Sequence, residues 1–566
     1  MDNGEYFMAT QAPSSQSDAG AASARPWQRF YNNKAATLTA PEPFPLTQLL
    51  DRAAASFPDR PCLTYGADRL SYDEVSLLVG QVATGLAGLG LMKGDRVGYM
   101  APAHPSFTIF SFALWHLGAV GVGLNPLYPV ARLAGQARDS GLKAVVTLDA
   151  PELLAKAEAL VAAIDCPVAV VVASAARGDP TTGVTLPPGA GARWMAAGDL
   201  IAGGAVVEAA AIDPLVDLAV LQYTGGTTGT PKAAMLTHGN LSVNAVQMHS
   251  WFPQLEPGRE VMLSAAPVTH VSGVGPIQNF TIHMAGELVS LPRFDPARTL
   301  DIIEEHRISV ILAAPTMFVG ILQAAAMAGR KIDWSFLKSA QCGAAPVSPE
   351  LKKRFEAETG VWITTIYGMT ETSPAAVYSS PAREHVGATG IPLPFTDVEI
   401  RAIDDPKKRM PAGEVGEICI KGPQVMPGYW NRPEATASAF VDGFFRSGDL
   451  GSMTEDGVVT LADRLKDVII ASGYNIYPTD VENAILEHPD VREAAVIGVP
   501  DAYRGETVKA ILSLRGKGTL TLEELQTFLR TRLSPMEIPK KLEVLDEIPR
   551  NENLKISRQA LREREG

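Results

Sequence analysis

Cysteine is scarce: Cys62, Cys166, Cys342 and Cys419 are the four in 566 residues, far apart and without Cys-x-x-Cys or Cys/His ligand spacing. That excludes a disulfide framework and a cysteine-bound zinc, and it fits a reducing, cytoplasmic setting. Basic residues are short as well, with 49 Lys and Arg against 62 Asp and Glu, a formal charge of −13 and no basic block. No nucleic-acid footprint is present. The first 24 residues hold no basic residue and no apolar core of signal-peptide length, so positions 1–27 read as a disordered tail. One charge-free run, Val97 to Val130, has the length of a membrane span. His116, Asn125, Pro126 and several glycines interrupt it at spacings that suit a buried helix leading into a strand. Integral membrane insertion is not expected; peripheral membrane contact stays open, and the oligomeric state is not set by the sequence.

What is present is a chain with 46% apolar residues, long enough for more than one core. Helical patterns such as Tyr72 to Gly90 alternate with β-branched runs such as Lys143 to Leu148 and Pro167 to Ser174. This alternation predicts an α/β fold with mainly parallel sheets in a large N-terminal domain, residues 28–462. From about 383 the pattern changes to short strands with tight turns, which predicts a small β subdomain reaching 462. A hinge at 463–467 then leads to a small α+β C-terminal domain, 468–566. Two helix starts are predicted there, from capping boxes Thr479/Glu482 and Thr521/Glu524.

The segment "YTGGTTGTPKAAMLTHGN", Tyr223 to Asn240, follows the apolar, strand-like run Leu218 to Tyr223. Ligands sit beyond strand ends in open α/β sheets. Gly225, Gly226 and Gly229 let backbone N–H groups face an anion, Thr224, Thr227, Thr228 and Thr230 add hydroxyls, and Lys232 adds a positive charge. The spacing is not that of a Walker A loop, since Ala233 follows Lys232. A flexible Gly/Thr hairpin is the plain alternative.

This loop resembles the phosphate-binding signature of the adenylate-forming enzymes, a superfamily of acyl-CoA synthetases, peptide-synthetase adenylation domains and beetle luciferases. Further matches run in order from about Pro45 to Arg558. The resemblance implies a two-step reaction: a carboxylate attacks the α-phosphate of ATP, giving an acyl-adenylate and pyrophosphate, and coenzyme A then displaces AMP to give a thioester. It also implies roles for residues. In "IYGMTETSP", Tyr367 would stack on adenine, Thr370 would bond the α-phosphate and Glu371 would hold Mg²⁺, with Thr224 as a second ligand. Gly343, Ala344 and Ala345 would edge the adenine, and Asp449 and Arg464 would hold the ribose. His270, Val271, Val274, Gly368 and Met369 would line the acyl pocket. Lys466 would be the pivot, Gly473 and Tyr474 would line the coenzyme A tunnel, and Lys555 would be the adenylation lysine on a mobile domain. Four positions depart from the common pattern: Asp463 and Leu554 replace usual glycines, and Thr365–Ile366 stand where many relatives have Gln or Glu then Gly.

Local likeness is nearest to medium- and long-chain fatty acyl-CoA ligases, and the expected pocket is small and apolar, with no Asp or Lys to hold an amino acid. Dicarboxylic and aryl acids, luciferase-type oxidation and a catalytically idle binder of nucleotide or acyl groups are the alternatives. Only "QALREREG" follows Arg558, so free coenzyme A is the expected acceptor.

Overall fold

The computed structural model describes residues 25–164, 169–187, 194–201, 206–224, 232–343, 347–380, 385, 387–471, 474–501, 504–516, 518–551 and 555–565. Among them, strands form sheets of nine, seven, five and five members.

The seven-stranded sheet runs Trp194–Ala196, Ala169–Ala173, Leu142–Leu148, Arg96–Met100, Val120–Gly123 and Leu218–Tyr223, all parallel, and closes with antiparallel Ala233–Thr237. In the nine-stranded sheet a parallel centre extends from Ile363–Gly368 through Ser339–Cys342, Val310–Ala313, Val261–Ser264 and Glu287–Ser290 to Pro61–Tyr65. Antiparallel pairs finish both of its edges. Parallel strands need helices on both faces, which is why the uncharged run resolves as it does. Its helix, Pro105–His116, is buried almost all round, and the Trp115 indole donates to Ala219 O at 3.0 Å, against the strand that leads into the Gly/Thr segment. No helix among the described residues is long and apolar enough to cross a membrane.

The β subdomain begins at Asp397–Arg401, later than 383, because Ala375–Tyr378 and Ile391–Pro392 extend the nine-stranded sheet instead. It continues through Gly416–Lys421 and Phe440–Val441 to the long pair Phe444–Met453 and Val459–Arg464. After the turn Leu465–Asp467, an α+β unit packs helices Pro478–Leu486 and Leu522–Leu529 on a sheet centred on Gly505–Leu514.

Of the two predicted capping boxes, Thr521/Glu524 forms, with the Glu524 carboxylate accepting the Thr521 amide at 2.8 Å. Thr479/Glu482 does not. Pro478 takes the first helical position, Tyr477 is the N-cap, and Glu482 instead accepts from Val496 N and Arg558. Residues 1–24 lie outside the described part, but the end of the expected tail is built into the fold. Arg25 forks onto Asp397 at 2.6 and 2.8 Å, and Trp27 is buried against the turn at Gly457, where a Cβ would lie 2.4 Å from the indole. Trp27→Ala should therefore cost the large domain about 3 kcal/mol, measured as a lowered denaturant midpoint; an unchanged midpoint would show that the indole is not part of the core.

Candidate functional site

The parallel strand Leu218–Tyr223 delivers Thr224 to the C-terminal edge of its sheet. Thr224 N donates to Lys232 O at 2.9 Å and its hydroxyl donates to the same oxygen at 3.2 Å, so the pair closes the mouth of the Gly/Thr segment while leaving the Thr224 oxygen lone pairs free to accept. Gly225, Gly226, Thr227, Thr228, Gly229 and Thr230 themselves lie outside the described residues, as do Ala344, Ala345, Gly473 and Leu554.

Next to this mouth stands Tyr429, which the sequence reading missed. Met235 N donates to Gly428 O and Trp430 N to Ala233 O, which docks the segment around Tyr429 onto the edge strand. The Lys232 ammonium lies 5.4 Å from the Tyr429 ring centroid, and the Tyr429 hydroxyl donates to Glu371 Oε1 at 2.8 Å. A tyrosine in "MPGYWNRPE" carries no chemical signal of its own; only the pairing of that segment with Ala233–Thr237 places it here.

Glu371 and Thr370 sit in the tight turn after strand Ile363–Gly368, each 9% exposed. Burial raises the Glu371 pKa, opposed by the Tyr429 hydroxyl. Gly368 has to be glycine, since a Cβ would fall 1.8 Å from Pro374 O. Met369 donates its amide to the same carbonyl. Among the described residues, a Cβ at Gly343 would meet Ile366, at 3.6 Å.

The second half of the site comes from the β subdomain. Asp449 and Arg464 face one another in register on adjoining strands, with Arg464 Nε 3.5 Å from Asp449 Oδ1. The Tyr367 hydroxyl donates to the other Asp449 oxygen at 3.1 Å, and its ring is buried. Burial raises the Asp449 pKa; Arg464, Tyr367, Lys466 and Lys555 oppose the shift. The charge of Lys555, in the small domain, is thus felt at this carboxylate of the large one. Burial, with Arg464 adding to it and Asp449 resisting, pulls its ammonium down to about 8. Behind it, Asn551 Oδ1 accepts the Lys555 amide and Asn551 N donates to Lys555 O, which ties the backbone of Lys555 down.

The third wall is the turn at His270. Gln222 Nε2 donates to Thr269 O at 2.8 Å, tying this turn to the strand that ends at Thr224. Nδ1 of His270 accepts the Ser272 amide, which leaves the ring proton on Nε2. Burial, then Lys555, pushes its pKa down to about 4, so the ring is neutral at pH 7. Val271 and Val274 are buried, and a π-helical segment, Gly273–Asn279, packs so closely on the Ser373–Pro374 turn that a Cβ at Gly275 would lie 2.8 Å from both. Lys466 stands in the turn Leu465–Asp467, and Tyr474 opens strand Tyr474–Ile476.

Glu371 is a buried carboxylate with one hydroxyl partner, and no cluster of three metal-ligating side chains occurs among the described residues. That donor set fits Mg²⁺ held by one carboxylate, nucleotide oxygens and water, rather than a protein-built cage.

Two buried carboxylates, Glu371 and Asp449, stand beside cations from both lobes, an arrangement that suits a nucleotide and its metal. The comparisons say which family it belongs to. Residues 50–430 match the model of the AMP-binding enzymes, and residues 480–555 match that of the AMP-binding enzyme C-terminal domain. A long-chain-fatty-acid–CoA ligase of Bacillus subtilis is 36% identical over 560 residues, covering 96% of this chain and 98% of the relative. A feruloyl-CoA synthase of an Amycolatopsis species is also 36% identical, covering 91% and 98%. Among solved structures, ATP-bound MatB from Rhodopseudomonas palustris superposes with a TM-score of 0.81 at 31% identity, covering 92% of this chain and 98% of that one. The o-succinylbenzoate CoA synthetase of Bacillus subtilis in complex with its acyl-adenylate gives 0.78 at 28%, covering 92% and 98%. The chain belongs to the AMP-binding enzyme family, in its acyl-CoA synthetase branch. It is an AMP-forming acid–thiol ligase that uses ATP, Mg²⁺ and coenzyme A.

The charges around Lys555 make a measurable prediction. Competitive acetylation followed by mass spectrometry should titrate Lys555 near 8, with Asp449→Asn lowering the midpoint and Arg464→Ala raising it. A midpoint near 10.5 in the unmodified protein would mean that the ammonium is solvated.

Proposed function

We propose that the enzyme activates medium- or long-chain fatty acids, with the site residues in the following roles. Lys232, Thr370 and the Gly/Thr segment engage the phosphates, while Glu371 and Thr224 would hold Mg²⁺, which when bound neutralises phosphate charge. Tyr367 and Gly343 flank adenine, and Asp449, an acceptor-only group, takes the ribose hydroxyls beside Arg464. Lys555 stabilises the charge that develops as the carboxylate oxygen bonds to the α-phosphorus and pyrophosphate leaves. Neutral His270 offers one N–H donor at the mouth of the acyl pocket. For the thioester step the small domain turns about Lys466, withdrawing Lys555 and bringing the segment of Gly473 and Tyr474 to the thiol's path. A cytoplasmic location belongs to the same reading, supported by free, buried Cys62, Cys342 and Cys419.

The observation that carries this reading is the Asp449–Arg464 pair beside the domain boundary, bonded by the Tyr367 hydroxyl and within the field of the small-domain Lys555. Lys555→Ala should lower carboxylate-dependent ATP–pyrophosphate exchange at least a hundredfold, the scale of a lost transition-state charge contact, and leave thioester formation from a supplied acyl-adenylate nearly unchanged. Equal loss of both half-reactions would remove the assignment, and a protein showing no exchange with any acid would be an idle binder.

An apolar acid is supported by a cavity beneath the His270 turn, lined by Val268, Val274, Phe107, Phe110, Leu114 and Trp115. It is closed down to about 30 Å³, so a long tail requires the two valines to move. Its aromatic walls also favour a second reading, an aryl acid, in keeping with the feruloyl-CoA synthase relative. A panel of octanoic, decanoic, hexadecanoic, malonic and ferulic acids, read as AMP release with and without coenzyme A, separates them: the fatty acids should give the highest kcat/KM, and a higher value for ferulic or malonic acid replaces the reading. Val274→Trp should cut the longest acid's kcat/KM most.

A further inference from the structure

The boundary between the lobes holds a carboxylate that the proposed chemistry does not use. Asp463 ends the large domain's last strand beside Arg464, and its side chain is 1% exposed. Oδ1 accepts the Arg464 amide at 2.7 Å and lies 3.6 Å from the Arg558 guanidinium, while Oδ2 accepts the Thr479 amide at 2.7 Å. Thr479 is the second residue of helix Pro478–Leu486, whose N-cap makes no side-chain hydrogen bond. The first turn of a helix has orphan amides and a positive end. Asp463 therefore caps, from the large domain, a helix that its own sequence leaves uncapped.

Arg558 ties the same knot from the other side. It forks onto Glu482 at 2.8 Å to each oxygen and lies 3.3 Å from Asp467, whose other oxygen takes Arg562 at 2.8 Å. Arg558 follows Lys555 by three positions, and Ile556 between them bridges Arg550. A short path thus runs from Asp463 through Arg558 and along the chain to the lysine. The contacts of Asp463 with Thr479 and Arg558 both cross the turn Leu465–Asp467. A rotation there that withdraws Lys555 breaks them together.

We propose that Asp463 is a positioning residue for adenylation: a latch across the hinge that holds the small domain where Lys555 meets the Asp449–Arg464 pair, and that must open before the thioester step. The proposal rests on the reading of Lys555 as the adenylation lysine. Glycine at this position would supply neither the cap nor the charge. The carboxylate therefore biases this chain toward the first half-reaction.

The test uses Asp463→Gly in the full-length enzyme, with decanoic acid and decanoyl-adenylate, or ferulic acid and its adenylate if the panel selects aryl acids. Acyl-adenylate formation should fall about tenfold, the scale of one charge-assisted hydrogen bond, while thioester formation from the supplied adenylate stays level or rises. Hydrogen exchange should quicken at the Thr479 and Asp480 amides and stay unchanged in the strands of the small domain's sheet. Equal loss in both half-reactions, loss in neither, or unchanged exchange at those amides would overturn the latch. Asp463→Asn, which keeps an acceptor for Thr479 and loses the charge facing Arg558, should show the same split at smaller size, and it carries the test if the glycine variant does not fold. Lys555→Ala in the same assays separates the two ideas. If it spares adenylation, the reading of Lys555 fails; if it is selective and Asp463→Gly is not, only the latch fails.

Discussion

A carboxylate taken out of water must be surrounded by donors and cations, and at Asp449 those come from three separate parts of the chain. Tyr367 arrives from the nine-stranded sheet, Arg464 from the neighbouring strand of the β subdomain, and Lys555 from beyond the hinge. The position of the small domain is therefore an electrostatic matter as much as one of packing. The Lys555 ammonium is held below its ordinary range, and the Asp449 and Glu371 carboxyls above theirs. Such groups respond strongly to an incoming polyanion and its cation, because each gains a partner in a place where charges are poorly screened.

Local pattern was a good guide wherever short-range physics decides the outcome. The strand before Thr224 and the capping box Thr521/Glu524 both follow from runs of a few residues. Thr479/Glu482 had the same local signature and failed, since a proline one residue earlier set the helix start and Arg558, 76 positions away, took the glutamate. Tyr429 was invisible for a related reason: its place beside Lys232 and Glu371 depends on a strand-edge pairing between segments nearly two hundred residues apart. Asp463 could be seen only as a departure from a glycine; that its two oxygens serve two lobes is a property of the folded molecule.

The His270 wall shows how a residue common in cores can also face a site. Its imidazole is neutral and its tautomer is fixed by Ser272, while Gln222 fixes the depth of the turn through Thr269. The π-helical stretch after it brings Gly275, the neighbour of Val274, down onto the Ser373–Pro374 turn, so the wall proposed for the acyl pocket and the turn that carries Glu371 share one packing contact.

The nine-stranded sheet has one more implication, for how the molecule is made. Strand Pro61–Tyr65 lies parallel to Glu287–Ser290, with Leu63 opposite Leu288. A ribosome delivering roughly 5–20 residues per second needs on the order of ten seconds or more to supply that partner. Meanwhile the whole seven-stranded sheet emerges and can assemble. The early strand has to wait with its apolar residues unsheltered, which makes the nascent chain, rather than the finished enzyme, the form most exposed to aggregation.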